Sequence, residues 1–416
     1  SSDWSSDVCS SDLLLARRQP GERALDIWAF LILFTMSFGI ASTLLRYGEV
    51  ARPVYTWGRY LLAFSPLLVV SRIWNNHALA RGLAVGGVLS GFTMLIAAAA
   101  QAWSPETALL VEHLYYGDFA NVEIAGFSSI RERIISVSDV LRVYGMYSTA
   151  TAFGGTSVLV AIVLVNLRKS SLRPALRGLL WSAAIGSFIA AFLTYSRHAL
   201  LGALLFLGGY ALLLRRGRMK SLVVITTVLL LGITLVSVEF WQSRIQKGGV
   251  TTDINLRLRL IQRPKELLNR LTGDPLMAVV GAGLGIKRIG EIDREEAQYG
   301  FVSNGFLLYL FFCGLPAFLL VLLLYASSML KAWRLKGDDF ASAFPGVFCA
   351  ALIVASDNYT FVTPNIPFIT SLLLSVVHMK RMAMLDEAPA VPDPALPAAG
   401  RAYSAVSAAP EICCPR

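Results

Sequence analysis

The chain has 416 residues, 55% of them hydrophobic and 15% charged, with a net charge of +10 and a mean hydropathy of +0.60. A soluble fold cannot hide that much apolar surface, so the composition excludes an ordinary soluble protein and points to one polytopic membrane domain. The positive balance does not indicate a nucleic-acid partner, because most of it falls in every second loop between apolar runs, where membrane topology puts it.

Residues 1–13, SSDWSSDVCSSDL, repeat Ser-Ser-Asp three times and match nothing downstream. They read as translated sequencing adapter, which would leave the native start and one or two upstream helices missing; the alternative is a disordered polar leader. Ten apolar stretches of bilayer-spanning length follow: 25–45, 54–71, 82–102, 149–166, 178–194, 199–214, 221–238, 304–330, 340–356 and 362–379. Arg17, Arg18 and Arg23 precede the first. Arg72 and Arg81 follow the second, Arg168, Lys169, Arg173 and Arg177 the fourth, and Arg215, Arg216, Arg218 and Lys220 the sixth. Lys331, Arg334 and Lys336 follow the eighth, and Lys380 and Arg381 the tenth. Such loops stay cytoplasmic, which puts both visible termini inside and the long polar loops 103–148 and 239–303 outside. The expected fold is therefore all-α: a polytopic transmembrane helix bundle of about ten helices over 14–385, the second outward loop partly helical. Residues 386–416, rich in Ala and Pro, read as a disordered cytoplasmic tail.

Chemistry on a water-soluble group belongs in the outward loops. Neither contains cysteine, and no His/Cys spacing suits a metal, so no disulfide, metal or cofactor is expected. Tyr195-Ser196-Arg197-His198 occupies a short outward turn between two apolar runs, against the positive-inside trend. A guanidinium at a membrane boundary is costly unless paired or hydrated, and its planar fork suits phosphate; it either binds an anion or snorkels to the headgroups. Arg142 precedes the fourth run on the same side, and Gly154-Gly155 just inside that run permit close helix approach. In the second loop, 254–271 has helical spacing with Leu and Ile on one face and Arg257, Arg259, Arg263, Lys265 and Arg270 on the other, interrupted by Pro264. Gly281-Ala-Gly283-Leu-Gly285 departs from phosphate-loop spacing and reads as a tight turn that lets the loop pack near a headgroup. Ser303-Asn304 stands where the second loop returns to the membrane and either caps the next helix or faces an anionic substrate. His113 and His198 face outward, as candidate bases or hydrogen-bond donors, whereas His77 and His378 read as cytoplasmic surface residues.

Four of these patches, in this order, resemble the O-antigen ligase/polymerase family of bacterial envelope proteins, over about residues 140–325. They are Arg142…Gly145…Phe153-Gly154; Leu193-Thr194-Tyr195-Ser196-Arg197 with Gly202; Arg257-Leu258 with Pro275-Leu276 and Gly281-x-Gly283-x-Gly285; and Asn304-Gly305-Phe306-Leu307 with Gly314-Leu315-Pro316. The sequence departs from the pattern at Ser303, where the family often has His, and at Ile261, where Trp is common. The resemblance implies a multi-pass protein of the bacterial inner membrane, an inverting glycosyltransferase that uses undecaprenyl-diphosphate-linked glycan on the periplasmic side without metal or cofactor. The acceptor would be another lipid-linked glycan for a polymerase, or lipid A-core for a ligase. The cations that would neutralise the diphosphate are Arg142, Arg197, Arg257 and Arg259, and the expected reacting centre is Arg197, Ser303 and Asn304, with His198 or His113 in place of the family's His. The alternatives are a non-catalytic polysaccharide or lipid transporter and an inactive member of the family.

Overall fold

The computed structural model describes residues 20–48, 50–74, 77–103, 143, 150–168, 172–194, 196–214, 217, 220–221, 223–228, 273–284, 305–335, 337, 340–356 and 365–386. Among them no residue is in a strand. The helices run α1 (Pro20–Tyr47), α2 (Ala51–Ile73), α3 (His77–Trp103), α4 (Ala150–Asn166), α5 (Pro174–Leu193), α6 (Arg197–Leu213), α7 (Pro275–Val280), α8 (Gly305–Trp333), α9 (Ala343–Ser356) and α10 (Asn365–Asp386). Within the predicted run 221–238, residues 223–228 are helical and 229–238 lie outside the described residues. Local breakers set the ends. Gly48 terminates α1 in a left-handed conformation, φ 66°, with its N–H on the Leu44 carbonyl at 2.9 Å. Pro174 opens α5 at a position whose N–H has no intrahelical partner.

Among the described residues, four helices are long and apolar enough to cross a bilayer by length and composition alone: Arg23–Leu45 of α1, Ala78–Trp103 of α3, the whole of α5, and α8 when its two arms are counted together. α4, α6 and α9 are apolar but shorter. α2 and α10 are not in that set; α2 carries Arg59 and Arg72, and α10 carries Lys380 and Arg381. Phe30, Leu89 and Ile96 on the outer faces of α1 and α3 are 67, 63 and 66% exposed, a distribution that suits surrounding lipid rather than water.

α4 is the axis of the bundle, packed by α3, α5, α6, α9 and α10. Every residue from Ala152 to Leu167 is buried, as a helix apolar on all sides must be. Small residues let its neighbours approach. Gly87 of α3 lies under Leu164 and Leu167, and Ile353 of α9 meets both Gly155 of α4 and Gly202 of α6. At the far end of α4, Ser342 donates to Asn166 Oδ1 at 3.0 Å, and Asn166 Nδ2 donates to Ile162 O at 2.9 Å and Ser342 O at 3.4 Å. These antiparallel pairings gather the start of α4, the end of α5, the start of α6 and the end of α9 at one end of the bundle. They put Arg72, Arg81, Arg168 and Arg173 at the other, where Arg72 Nη2 stands 3.8 Å from Asp26 of α1.

α8 departs from the single rod that its apolar run predicts. Gly314 is non-helical (φ 81°, ψ 177°) and Pro316 follows two residues later. The rings of Phe306 and Tyr325 are 5.2 Å apart, whereas a straight helix would separate those positions by about 28 Å. The two arms therefore fold back on each other. The elbow frees the carbonyls of Phe311 and Phe312: the non-helical Gly314 breaks the ladder after Phe311, and Pro316 has no N–H to give Phe312 O. Ala282 N–H donates to Phe311 O at 2.7 Å and Gly283 N–H to Phe312 O at 3.3 Å. On the other side Leu284 N–H donates to Gly39 O at 3.0 Å, Ser42 Oγ to Gly281 O at 2.8 Å and Thr43 Oγ1 to Leu284 O at 2.8 Å. The glycine segment is thus a wedge between α1 and α8, not a headgroup turn: Ala282 and Leu284 are 4 and 0% exposed. Irregular backbone survives in such a place only when protein satisfies it, as here. A second correction concerns His378. It is buried rather than on the surface, because α10 packs along α8, and Lys331 Nζ donates to its Nδ1 at 2.8 Å.

Candidate functional site

The end of the bundle where α4 starts carries the turn singled out in the sequence. α5 stops at Leu193, and Thr194 locks the stop: its Oγ1 donates to Ala191 O at 2.6 Å and accepts from Ser196 N–H at 3.2 Å. The chain then turns over Gly154. A Cβ there would stand 2.6 Å from Thr194 Oγ1 and 2.9 Å from Ala199 Cβ, so glycine is what admits the turn against α4. The backbone of Arg197 opens α6 directly after Ser196.

Ser196 has the extended conformation of an N-cap residue, φ −83° and ψ 117°, but its side chain does not cap the helix. Its hydroxyl is buried and has no hydrogen-bond partner among the described residues. The first-turn N–H groups of α6 are therefore not taken by the serine, and they add the positive end of the helix dipole to the position that Arg197 occupies in the chain. His198, the second residue of α6, is exposed.

Val143 joins the same turn. Its N–H donates to Leu193 O at 3.4 Å, and its side chain packs with Ala98, Phe153 and Ala190. The residue after Arg142 in the chain is thus anchored two residues before Tyr195. Arg142 itself lies outside the described residues, as do Arg257, Arg259, Ser303, Asn304 and His113. Gly305, next to Asn304, is buried at the tip of the first arm of α8. Among the described residues one cation escaped the sequence reading: Arg59, inside the second apolar run, lies 5.7 Å from the Tyr55 ring centroid. An arginine within such a run was itself the signal. Among the described residues no group of His, Cys, Asp or Glu is placed to hold a metal. No protein-family model and no curated protein matches the chain.

Proposed function

We propose that the protein is a glycan-assembly enzyme of the bacterial inner membrane that transfers or polymerises undecaprenyl-diphosphate-linked oligosaccharide on the periplasmic side. In this reading about ten helices cross the bilayer, the basic end is cytoplasmic, and loops 103–148 and 239–303 cover the Arg197 end. The observation that carries it is the turn itself: Arg197 at the first position of α6, behind a serine that leaves the helix N-terminus uncapped, with the chain next to Arg142 tied to Leu193. Transfer from a lipid diphosphate needs little apparatus. The leaving group is already good, and cations must neutralise the charge that grows on it. Arg142, Arg197, Arg257 and Arg259 supply that clamp. His198 takes the proton of the acceptor hydroxyl, with Ser303 and Asn304 as hydrogen-bond partners of the acceptor, as the hydroxyl oxygen attacks the anomeric carbon with inversion and the bond to the departing diphosphate breaks. The acceptor is a second lipid-linked glycan in the polymerase form and lipid A-core in the ligase form.

The broken α8 favours a second reading, since transporters build their sites from interrupted helices. Reconstituted protein given lipid-diphosphate oligosaccharide decides between them. Released undecaprenyl diphosphate together with lengthened glycan supports the enzyme. Lipid-linked glycan moved across the bilayer without bond cleavage supports the transporter.

A further inference from the structure

An apolar groove of about 430 Å³ runs between α2 and α3, with α4 and α10 as its floor. Val69 and Ile73, Gly86, Val163 and Leu167, and Phe368 line it from the four helices. Although α2 and α3 are consecutive in the chain, they hardly touch. Gly82 and Gly86 face open space, where an added Cβ would meet nothing within 4 Å.

Its dimensions and the arginines that flank it in the chain point to an occupant. On α2 the lining runs from Ser65 to Ile73, a rise of about 12 Å, close to the ~15 Å depth of one leaflet. No charged residue is among those that line the groove, but one end of it is flanked by arginines in the chain. Ile73, Gly82 and Leu167 of the lining each adjoin an arginine in the chain: Arg72, Arg81 and Arg168. Arg81 is exposed, Arg168 lies 5.7 Å from the Trp181 ring centroid, and Asp26 stands 3.8 Å from Arg72. We propose that this groove holds one acyl chain of an anionic phospholipid from the leaflet at the arginine end, its phosphate drawn to Arg72, Arg81 and Arg168. Basic pockets between transmembrane helices on the cytoplasmic side bind such headgroups. A polyprenyl tail, longer than one leaflet, fits the groove less well than a phospholipid chain. The site stands at the opposite end of the bundle from Arg197 and does not depend on the catalytic reading.

The test uses the full chain in vesicles of phosphatidylglycerol and phosphatidylethanolamine. The protein is extracted again in mild detergent, and the retained lipid is quantified by mass spectrometry. Wild type retains phosphatidylglycerol in excess of its share in the vesicle. Gly86→Leu, which fills the groove, loses it. Gly58→Leu, on α2 outside the groove and equally open, keeps it. Arg81→Gln lowers the preference for phosphatidylglycerol about five-fold while leaving the groove intact. If Gly86→Leu does not accumulate, Gly82→Leu takes its place. Equal retention by the Leu variants inside and outside the groove overturns the proposal. So does retention of phosphatidylethanolamine in proportion to phosphatidylglycerol.

Discussion

Gly314→Ala tests the elbow of α8. At φ 81° and ψ 177° the backbone is in a region that residues with a Cβ scarcely enter, at about 1–3 kcal/mol. A Cβ there would also fall on the Val279 carbonyl, 2.6 Å from its carbon and 3.0 Å from Gly281 N. Crowding of that kind costs about 1–3 kcal/mol more, so the variant should lose roughly 2–6 kcal/mol, a large part of the stability of an ordinary domain. Gly58→Ala is the matched control. It lies inside α2 in open space, and there alanine should stabilise by up to about 1 kcal/mol. Thermal unfolding in a mild detergent, followed by tryptophan fluorescence, should therefore move in opposite directions for the two variants. A Gly314→Ala protein that melts with Gly58→Ala would refute the elbow and the wedge packed into it.

The remaining expectations use the same logic. Gly154→Val pushes the turn off α4 and should lower the melting temperature by the equivalent of about 1–3 kcal/mol, with a fall in turnover because Arg197 moves with the turn; an unchanged melt would mean the turn does not rest on Gly154. Asn166→Ala strands the buried Ser342 hydroxyl and should cost about 1–3 kcal/mol, and the Asn166→Ala/Ser342→Ala double variant should fall short of the sum of the singles in the same assay. For topology, cysteines are placed at Val50 and Arg173 in a background without the native cysteines. An impermeant thiol reagent added to intact spheroplasts should label the first and not the second, and the reverse pattern would invert the bundle.

Much of the helix layout is legible because apolar runs are written in composition. The run read as 149–166 is helix Ala150–Asn166, and the run read as 340–356 contains Ala343–Ser356. In both cases apolar length and polar boundary residues suffice. The wedge was hidden. Its hydrogen bonds tie Gly39, Ala282–Leu284 and Phe311–Phe312, positions up to 273 apart in sequence, and periodicity carries no such information. Gly314 and Pro316 did mark the break, but the surrounding apolar residues look like one uninterrupted span. His378 was misjudged for a related reason: its basic neighbours suggest a solvated loop, whereas α10 continues as helix to Asp386 and keeps that face against α8. At the site, the chain order of Leu193, Ser196 and Arg197 was readable, but the closure of the turn over Gly154 and the tie from Val143 to Leu193 are tertiary facts.

The central claim is that Arg197 stabilises a departing diphosphate. Its most direct test is turnover of undecaprenyl-diphosphate oligosaccharide by reconstituted wild type and Arg197→Ala, at matched protein levels and matched melting temperature. The account predicts released undecaprenyl diphosphate with wild type and a loss of about 100-fold or more in the variant. Equal turnover by the two proteins, or none by wild type with either a lipid-linked or a lipid A-core acceptor, would contradict it.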